Sequence, residues 1–139
     1  MKKRTPVSEI MTTDVITLNH TDDLDVAEKL FKKNNIRHIP VVSGAKIIGM
    51  LSYTDLLRIS FADAIDEDEQ NVDTVVYNMF TIEQVMAKNL VSVSSNTTIL
   101  EVAKILAKKE FHALPVVDHD KLVGIVTTTD LIDYLIEQF

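Results

Sequence analysis

One stretch decides the fold: Gly49-Met-Leu-Ser-Tyr-Thr-Asp55, which returns 75 residues later as Gly124-Ile-Val-Thr-Thr-Thr-Asp130. Two more pairs keep that spacing: Val7-Ser-Glu-Ile-Met11 with Ile82-Glu-Gln-Val-Met86, and Ile39-Pro-Val-Val42 with Leu114-Pro-Val-Val117. Between these landmarks the offset slips to 76, where Val26-Ala27 matches Val102-Ala103. The chain therefore duplicates a unit of about 50 residues. A unit that small is marginally stable alone, so we expect the repeats to share one core as a pseudo-symmetric pair.

Each repeat predicts the order strand, helix, strand, strand, helix, which is a mixed α/β (α+β) fold. In the first repeat the predicted strands are Val15–Leu18, Ile39–Val42 and Ile47–Leu51, with a turn at Ser43-Gly44 and a helix from Tyr53. The intervening helix is predicted by the spacing of Leu24, Ala27, Leu30 and Phe31. In the second repeat the same elements are Leu90–Val93, a helix containing Ile99, Val102, Ala103 and Leu106, then Leu114–Val117, Leu122–Val126 and a last helix through Leu131 and Leu135. Thr98-x-x-Glu101 predicts a capping box.

Composition and charge exclude several classes of protein. The 139 residues contain no cysteine, so there is neither a disulfide framework nor a thiolate metal site. A formal net charge of −7 without a basic stripe argues against binding to DNA or RNA. No apolar run is long enough for a membrane span, and no signal-peptide core follows the basic start. We therefore expect a soluble, cytoplasmic protein that binds no nucleic acid and no membrane.

An acidic connector separates the repeats, so the predicted organisation is repeat 1 over residues 1–60, the connector over 61–80 and repeat 2 over 81–139. The connector contains six acidic residues and no basic residue. Its acidic cluster at 66–69 suits a patch that docks a partner or a cation, or simply a solvated surface. The apolar residues of the connector favour packing on the core or on a second subunit.

The two junctions between strand and helix suit a nucleotide. A glycine in a strand lets another group approach the backbone, and a helix N-terminus offers N–H groups and a positive dipole end to a phosphate. Hydroxyl groups lie at the same corners: Ser52, Thr54, Thr127 and Thr129. Asp55 and Asp130 can each accept hydrogen bonds from both hydroxyls of a ribose. Ser/Thr-x-x-Asp is equally the pattern by which a helix caps itself, and both interpretations stay open.

These landmarks, in this order and twice, resemble a CBS-domain pair, or Bateman module, the family named after cystathionine β-synthase. The resemblance covers residues 7–58 and 81–137. It rests on the segments around Met11 and Met86, on the two junctions, and on the strands Arg37-His-Ile-Pro-Val-Val42 and His112-Ala-Leu-Pro-Val-Val117. It implies that the repeats pair about a pseudo-twofold axis and leave two clefts for adenine nucleotides, namely AMP, ADP, ATP or S-adenosylmethionine. It also implies a disc-like homodimer.

The family's ligand contacts can be transferred residue by residue. One implied site combines Met50, Ser52, Thr54 and Asp55 with Thr98, Ala103, Phe111 and His112. The other combines Ile125, Thr127, Thr129 and Asp130 with Asp22, Ala27, Ile36, Arg37 and His38. Asp22 stands where the other half has Thr98, and repeat 2 offers His112 alone against Arg37 and His38. We therefore expect two unequal sites.

Two functions from different classes follow. The first is a stand-alone regulatory module that binds an adenine nucleotide and signals to a separate protein by a conformational change. The second is a dimeric interaction scaffold, in which the junctions only cap helices and the acidic connector docks a partner. An enzyme is not expected, because no nucleophile, base and orienting residue form a recognisable set. A metal site is not expected either, because the four histidines lack ligand spacing.

Overall fold

The computed structural model describes residues 4–63, 79–109 and 111–139, with the backbone alone over 60–63. The acidic cluster at 66–69 and most of the predicted connector lie outside these ranges. The chain divides into two compact units: Ile16–Leu90, called here the first-repeat unit, and Met1–Val15 with Val91–Phe139, called the second-repeat unit.

The first-repeat unit contains a three-stranded sheet in the order β1-β2-β3. Its strands are β1 (Leu18–Asn19), β2 (His38–Ser43) and β3 (Lys46–Ser52), and its helices are α1 (Leu24–Asn34), α2 (Tyr53–Asp63) and the short α3 (Ile82–Val85). β1 pairs parallel to β2 through the α1 crossover, and β2 pairs antiparallel to β3. The hairpin turn falls at 44–45, one residue later than predicted, and Gly44 takes a φ of 65° that favours glycine.

The second-repeat unit repeats the hairpin and its flanking helices. Its elements are a 3₁₀ turn (Val7–Glu9), α4 (Ile99–Lys108), β4 (Ala113–Asp118), β5 (Lys121–Thr127) and α5 (Thr128–Glu137). Both hairpins have a register shift at the same place, between Val41 and Val42 and between Val116 and Val117. The mixed α+β class is confirmed, and the predicted order of elements is confirmed in the first repeat and, from its first helix onward, in the second.

The first strand of each repeat begins later than predicted. β1 starts at Leu18, and in the second repeat only Val93 pairs, by a single parallel bridge to Val116. Val93 N–H donates to the Pro115 carbonyl, and Val117 N–H donates to Val93. The next rung toward the N-terminus would need an N–H from Pro115, which proline lacks. The duplicated prolines therefore end both parallel ladders.

The buried side chains form two core clusters, one in each unit, where the sequence predicted a shared core. The first cluster is built around Leu18, Leu24, Ile39, Leu51 and Leu56. The second is built around Val7, Val102, Leu114, Val116 and Val126. The predicted helix faces are confirmed, since α1 buries Leu24, Ala27 and Phe31, and α4 buries Ile99 and Val102.

Each core includes the leading segment of the other sequence repeat. Ile82 and Met86, which begin repeat 2 in the sequence, lie in the core of the first-repeat unit. Val7, which begins repeat 1, lies in the core of the second-repeat unit. Backbone hydrogen bonds hold both segments: Met50 and Ala87 bond reciprocally at 3.0 and 2.9 Å, and Thr12 and Ile125 at 2.8 and 3.0 Å. The compact units are therefore different sets of residues from the sequence repeats.

Candidate functional site

The β3–α2 junction presents Asp55 at the start of a helix. The Ser52 hydroxyl accepts a hydrogen bond from the Asp55 N–H at 3.0 Å, so Ser52 caps the helix. The Asp55 carboxylate (Oδ1) lies 3.5 Å from Nη1 of Arg58, whose side chain is 74% exposed. Tyr53 N–H donates to the Arg37 carbonyl at 2.8 Å, which ties the start of β2 to the same corner.

The β5–α5 junction has the same backbone arrangement, but its carboxylate, that of Asp130, makes a different hydrogen bond. The Thr127 hydroxyl accepts from Asp130 N–H at 3.2 Å, and Asp130 Oδ2 accepts from Thr127 N–H at 2.9 Å, a complete capping box. Thr128 donates its N–H and its hydroxyl to the His112 carbonyl at 3.0 and 3.3 Å. His112 therefore lies at this junction as Arg37 lies at the other.

Both interpretations of the Ser/Thr-x-x-Asp pattern remain compatible with these contacts. The hydroxyls do cap their helices. Within the described residues, however, the Asp55 carboxylate makes no hydrogen bond back to Ser52 N–H, whereas Asp130 does. A carboxylate has about four lone-pair positions, so even Asp130 keeps acceptor capacity for a hydroxyl ligand. The sequence did not separate the two junctions in this respect.

The two junction glycines make room for methionines, not for a ligand. A β-carbon on Gly49 would meet the side chain of Met86, with Cγ at 2.8 Å. A β-carbon on Gly124 would lie 2.7 Å from Met11 Sδ. The close approach predicted at these glycines is therefore real, but the approaching group is the leading segment of the chain. The repeated Met11 and Met86 were the sequence signal for it.

The other predicted site residues divide between the two units. The Asp55 set has Met50, Ser52, Thr54 and Asp55 in the first-repeat unit, and Thr98, Ala103, Phe111 and His112 in the second. The Asp130 set has Ile125, Thr127, Thr129 and Asp130 in the second-repeat unit, and Asp22, Ala27, Ile36, Arg37 and His38 in the first. Thr54, Thr129, Arg37, Phe111 and His112 are exposed, whereas Met50, Ala27 and Ile125 are buried. Inside each unit the structure brings the four junction residues together with the strand entrance at Arg37 or His112.

The helix caps show where the repeats correspond. Thr98 is the N-cap of α4 and its hydroxyl accepts from Glu101 N–H at 3.1 Å. The N-cap of α1 is Asp23, which stands 75 residues before Thr98 and makes no side-chain capping bond. The 75-residue offset thus continues through these helices without the predicted slip. Asp22 instead accepts the Asn19 N–H at 2.8 Å, inside the turn before α1.

A separate carboxylate, Asp118, lies at the far end of the β4–β5 hairpin from Thr127. The Ser95 hydroxyl donates to it at 2.5 Å and the Ser95 N–H donates at 3.0 Å. These two hydrogen bonds lower the pKa of Asp118 below its ordinary value. The Ser95–Asp118 contact holds the loop before α4 against the sheet. No sequence pattern predicted this contact, because the two residues are 23 positions apart.

The described residues also bear on metal binding and on membrane insertion. Over the described ranges, no three histidine, aspartate or glutamate side chains are grouped so that they could hold a metal ion. In the same part of the chain, no helix has the length and apolar character needed to cross a bilayer.

A family model for the CBS domain matches residues 7–62 and again residues 82–137. The chain belongs to the CBS-domain family. The resemblance noted in the sequence is thereby confirmed, and the two matches are the two repeats of a CBS-domain pair.

Several relatives and solved structures are similar to this CBS-domain protein over most of the chain. The CBS domain-containing protein YhcV of Bacillus subtilis is 30% identical, over 90% of this chain and 81% of its own length. The CBS domain of a CBS domain-containing membrane protein from Sphaerobacter thermophilus has a TM-score of 0.80 at 26% identity, covering 94% of this chain and 88% of that one. The CBS domain pair of protein MJ0100, solved with 5′-methylthioadenosine and S-adenosyl-L-methionine, has a TM-score of 0.79 at 26% identity, covering 97% and 98%. Two further curated relatives are longer proteins, of which this chain spans 42% and 25%.

Proposed function

We propose that this CBS-domain protein is a regulatory module that binds adenosine ligands, such as AMP, ADP, ATP or S-adenosylmethionine, at its two strand–helix junctions. The observation that carries the proposal is the duplicated corner, in which a hydroxyl, a helix N-terminus and a carboxylate meet at Asp55 and again at Asp130. The similar CBS pair of MJ0100 was solved with two adenosine compounds, which supports the ligand class. Ligand binding changes the conformation of the module, and a separate protein responds to that change.

The chemistry of the corner matches the parts of a nucleotide. In the first turn of α2, the N–H groups of Tyr53 and Asp55 are already bonded, to the Arg37 carbonyl and the Ser52 hydroxyl. Thr54 has no such bond among the described residues, and its side chain is exposed. Its N–H and hydroxyl are therefore available to a phosphate or a hydroxyl group. The Asp55 carboxylate can accept the two hydroxyls of a ribose.

Alanine variants of the two aspartates test the proposal. Loss of charge-assisted hydrogen bonds of roughly 1.5–3 kcal/mol should weaken adenylate binding about ten- to a hundredfold in calorimetric titration. Asp130→Ala should also lower the free energy of unfolding by about 0.5–2 kcal/mol, because it removes half of a capping box. Asp55→Ala should cost less stability, because its carboxylate makes no bond to the Ser52 N–H.

Glu137→Ala is the matched control, since it removes one exposed negative charge at the other end of α5. It should leave adenylate binding unchanged. If both aspartate variants bind adenylates like the unmodified protein and differ from it only in melting temperature, then capping is the whole role of these residues.

The complete capping box at Thr127 and Asp130 favours one alternative. In that alternative the protein is a dimeric interaction scaffold without a ligand, and the acidic connector docks its partner. A ligand that binds the folded state alone raises the melting temperature by mass action. A melting temperature unmoved by millimolar AMP, ADP, ATP and S-adenosylmethionine would support the scaffold.

We also propose that the protein is a homodimer, through the exposed face of α5. Ile132, Leu135, Ile136 and Phe139 are exposed at helical spacing, and Ile136 is 64% exposed. Leu57 is exposed at the matching position of α2. Apolar faces of this kind mark sites of protein association. The cytoplasmic location expected from the sequence stays a prediction.

A further inference from the structure

The two junction helices begin with similar sequences but carry opposite charges at one position. α2 begins Tyr53-Thr-Asp-Leu-Leu-Arg58, and α5 begins Thr128-Thr-Asp-Leu-Ile-Asp133. Arg58 and Asp133 occupy the same position, three residues after the junction aspartate. Residues three apart in a helix are neighbours on its surface, so each side chain can act on the ligand held by its own junction.

The structure shows this neighbourhood directly for Arg58. Its Nη1 atom lies 3.5 Å from Asp55 Oδ1. Asp133 is exposed at the corresponding position of α5 and adds a second negative charge to that of Asp130. The first six residues therefore have a formal charge of zero in α2 and −2 in α5.

The strand entrance inside each unit does not remove this contrast. Arg37 lies at the Asp55 junction, where its carbonyl accepts the Tyr53 N–H, and His112 lies at the Asp130 junction, where its carbonyl accepts the Thr128 N–H. The charge difference between the two junctions therefore rests on Arg58 and Asp133.

We propose that the two junctions select adenosine ligands of different charge, an inference that rests on the proposed function. The Asp55 junction takes a phosphorylated ligand such as AMP. The Asp130 junction takes a ligand without phosphate, either a neutral nucleoside or a cationic compound such as S-adenosylmethionine. The reason is that a second carboxylate repels a phosphate, whereas a guanidinium offsets the junction aspartate. With two charges of difference, screened by salt, the preference for AMP over adenosine should differ between the junctions by roughly five- to thirtyfold.

Reciprocal charge exchange tests this selectivity. Calorimetric titrations with AMP and with adenosine are run on the unmodified protein, on Arg58→Asp and on Asp133→Arg. Both side chains are exposed, so the fold should persist, and circular dichroism checks it. Arg58→Asp should lower the ratio of AMP to adenosine affinity about tenfold, and Asp133→Arg should create a second AMP site of similar affinity. Higher salt should reduce both effects. Titration of Asp130→Ala and Asp55→Ala variants then isolates each junction.

The outcomes separate this inference from the function on which it rests. If the ratio moves in opposite directions in the two exchanges, charge selection is supported. If AMP and adenosine bind but neither exchange changes their ratio, the charge selection is overturned while the proposed function stands. If neither compound nor S-adenosylmethionine binds to the unmodified protein, both are overturned.

Discussion

Replacement of Gly124 by alanine tests how the second-repeat sheet holds its leading segment. The added β-carbon would lie 2.7 Å from Met11 Sδ and 3.0 Å from the Thr12 carbonyl oxygen. The Met11 side chain can rotate away. Thr12 cannot, because its backbone bonds to Ile125 in both directions, at 2.8 and 3.0 Å. The alanine must therefore push against a fixed carbonyl group.

The expected cost follows from two opposing terms. Overpacking a well-packed site costs about 1–3 kcal/mol. Alanine also restricts the unfolded chain, which raises the free energy of unfolding by about 0.4–1 kcal/mol. We therefore expect Gly124→Ala to lower the free energy of unfolding by about 1–2 kcal/mol and the melting temperature by roughly 4–8 °C.

Gly49 supplies the matched comparison. Its three nearest atoms all belong to the flexible side chain of Met86. In a double-mutant cycle of Gly49→Ala with Met86→Ala, removal of the methionine should relieve the clash, with a coupling energy of roughly 1–3 kcal/mol. The cycle of Gly124→Ala with Met11→Ala should give a smaller coupling, because the Thr12 carbonyl remains in place.

Guanidinium unfolding followed by circular dichroism measures both cycles, with thermal unfolding as a second probe. Equal coupling energies in the two cycles would show that the Thr12 carbonyl exerts no constraint. A Gly124→Ala protein as stable as the unmodified one would show that the leading segment is held loosely. Either result would refute the reasoning.

Three further predictions concern caps, pH and assembly. Thr98→Ala should lower the free energy of unfolding by about 1 kcal/mol, because α4 loses its N-cap hydrogen bond; thermal unfolding measures this. Ser95→Ala should raise the pKa of Asp118 toward its ordinary value, as carboxyl NMR titration would show. A lowered folded-state pKa stabilises the protein above the unfolded-state value of about 3.9, and that stabilisation is lost as the pH falls through the folded-state pKa. Ser95→Ala should therefore lose less stability on acidification than the unmodified protein. Replacement of Ile132 and Ile136 by serine should shift sedimentation from dimer to monomer with little change in melting temperature; a dimer that persists would place the interface elsewhere.

Much of the secondary structure could be predicted from local patterns. The helical spacing of Leu24, Ala27 and Phe31 placed α1 correctly, because one apolar face of a helix must meet the core. The apolar run Ile39–Val42 placed β2 to within a residue at each end. The residue at which each parallel strand begins was harder to predict from the sequence. Pro40 and Pro115 are visible in the sequence, but their effect depends on which residue faces them across the ladder.

The capping pattern at the two junctions was predictable from the sequence, but the orientation of the two carboxylates was not. Ser52 and Thr127 occur in identical patterns, and both cap a helix. Only the folded structure shows that Asp130 bonds back to its own cap, while Asp55 lies beside Arg58. These choices depend on side-chain orientation at each corner, which the spacing of residues does not specify.

The sequence by itself determined that this protein has two copies of one CBS unit, each with a polar corner between a strand and a helix. It could not determine which copy each leading segment would join. Because the copies are so similar, Met11 and Met86 each have two comparable sheets available, and local pattern offers no preference between them. Tertiary packing decided the matter, since Gly124 receives Met11, Gly49 receives Met86, and paired backbone hydrogen bonds hold each segment in place.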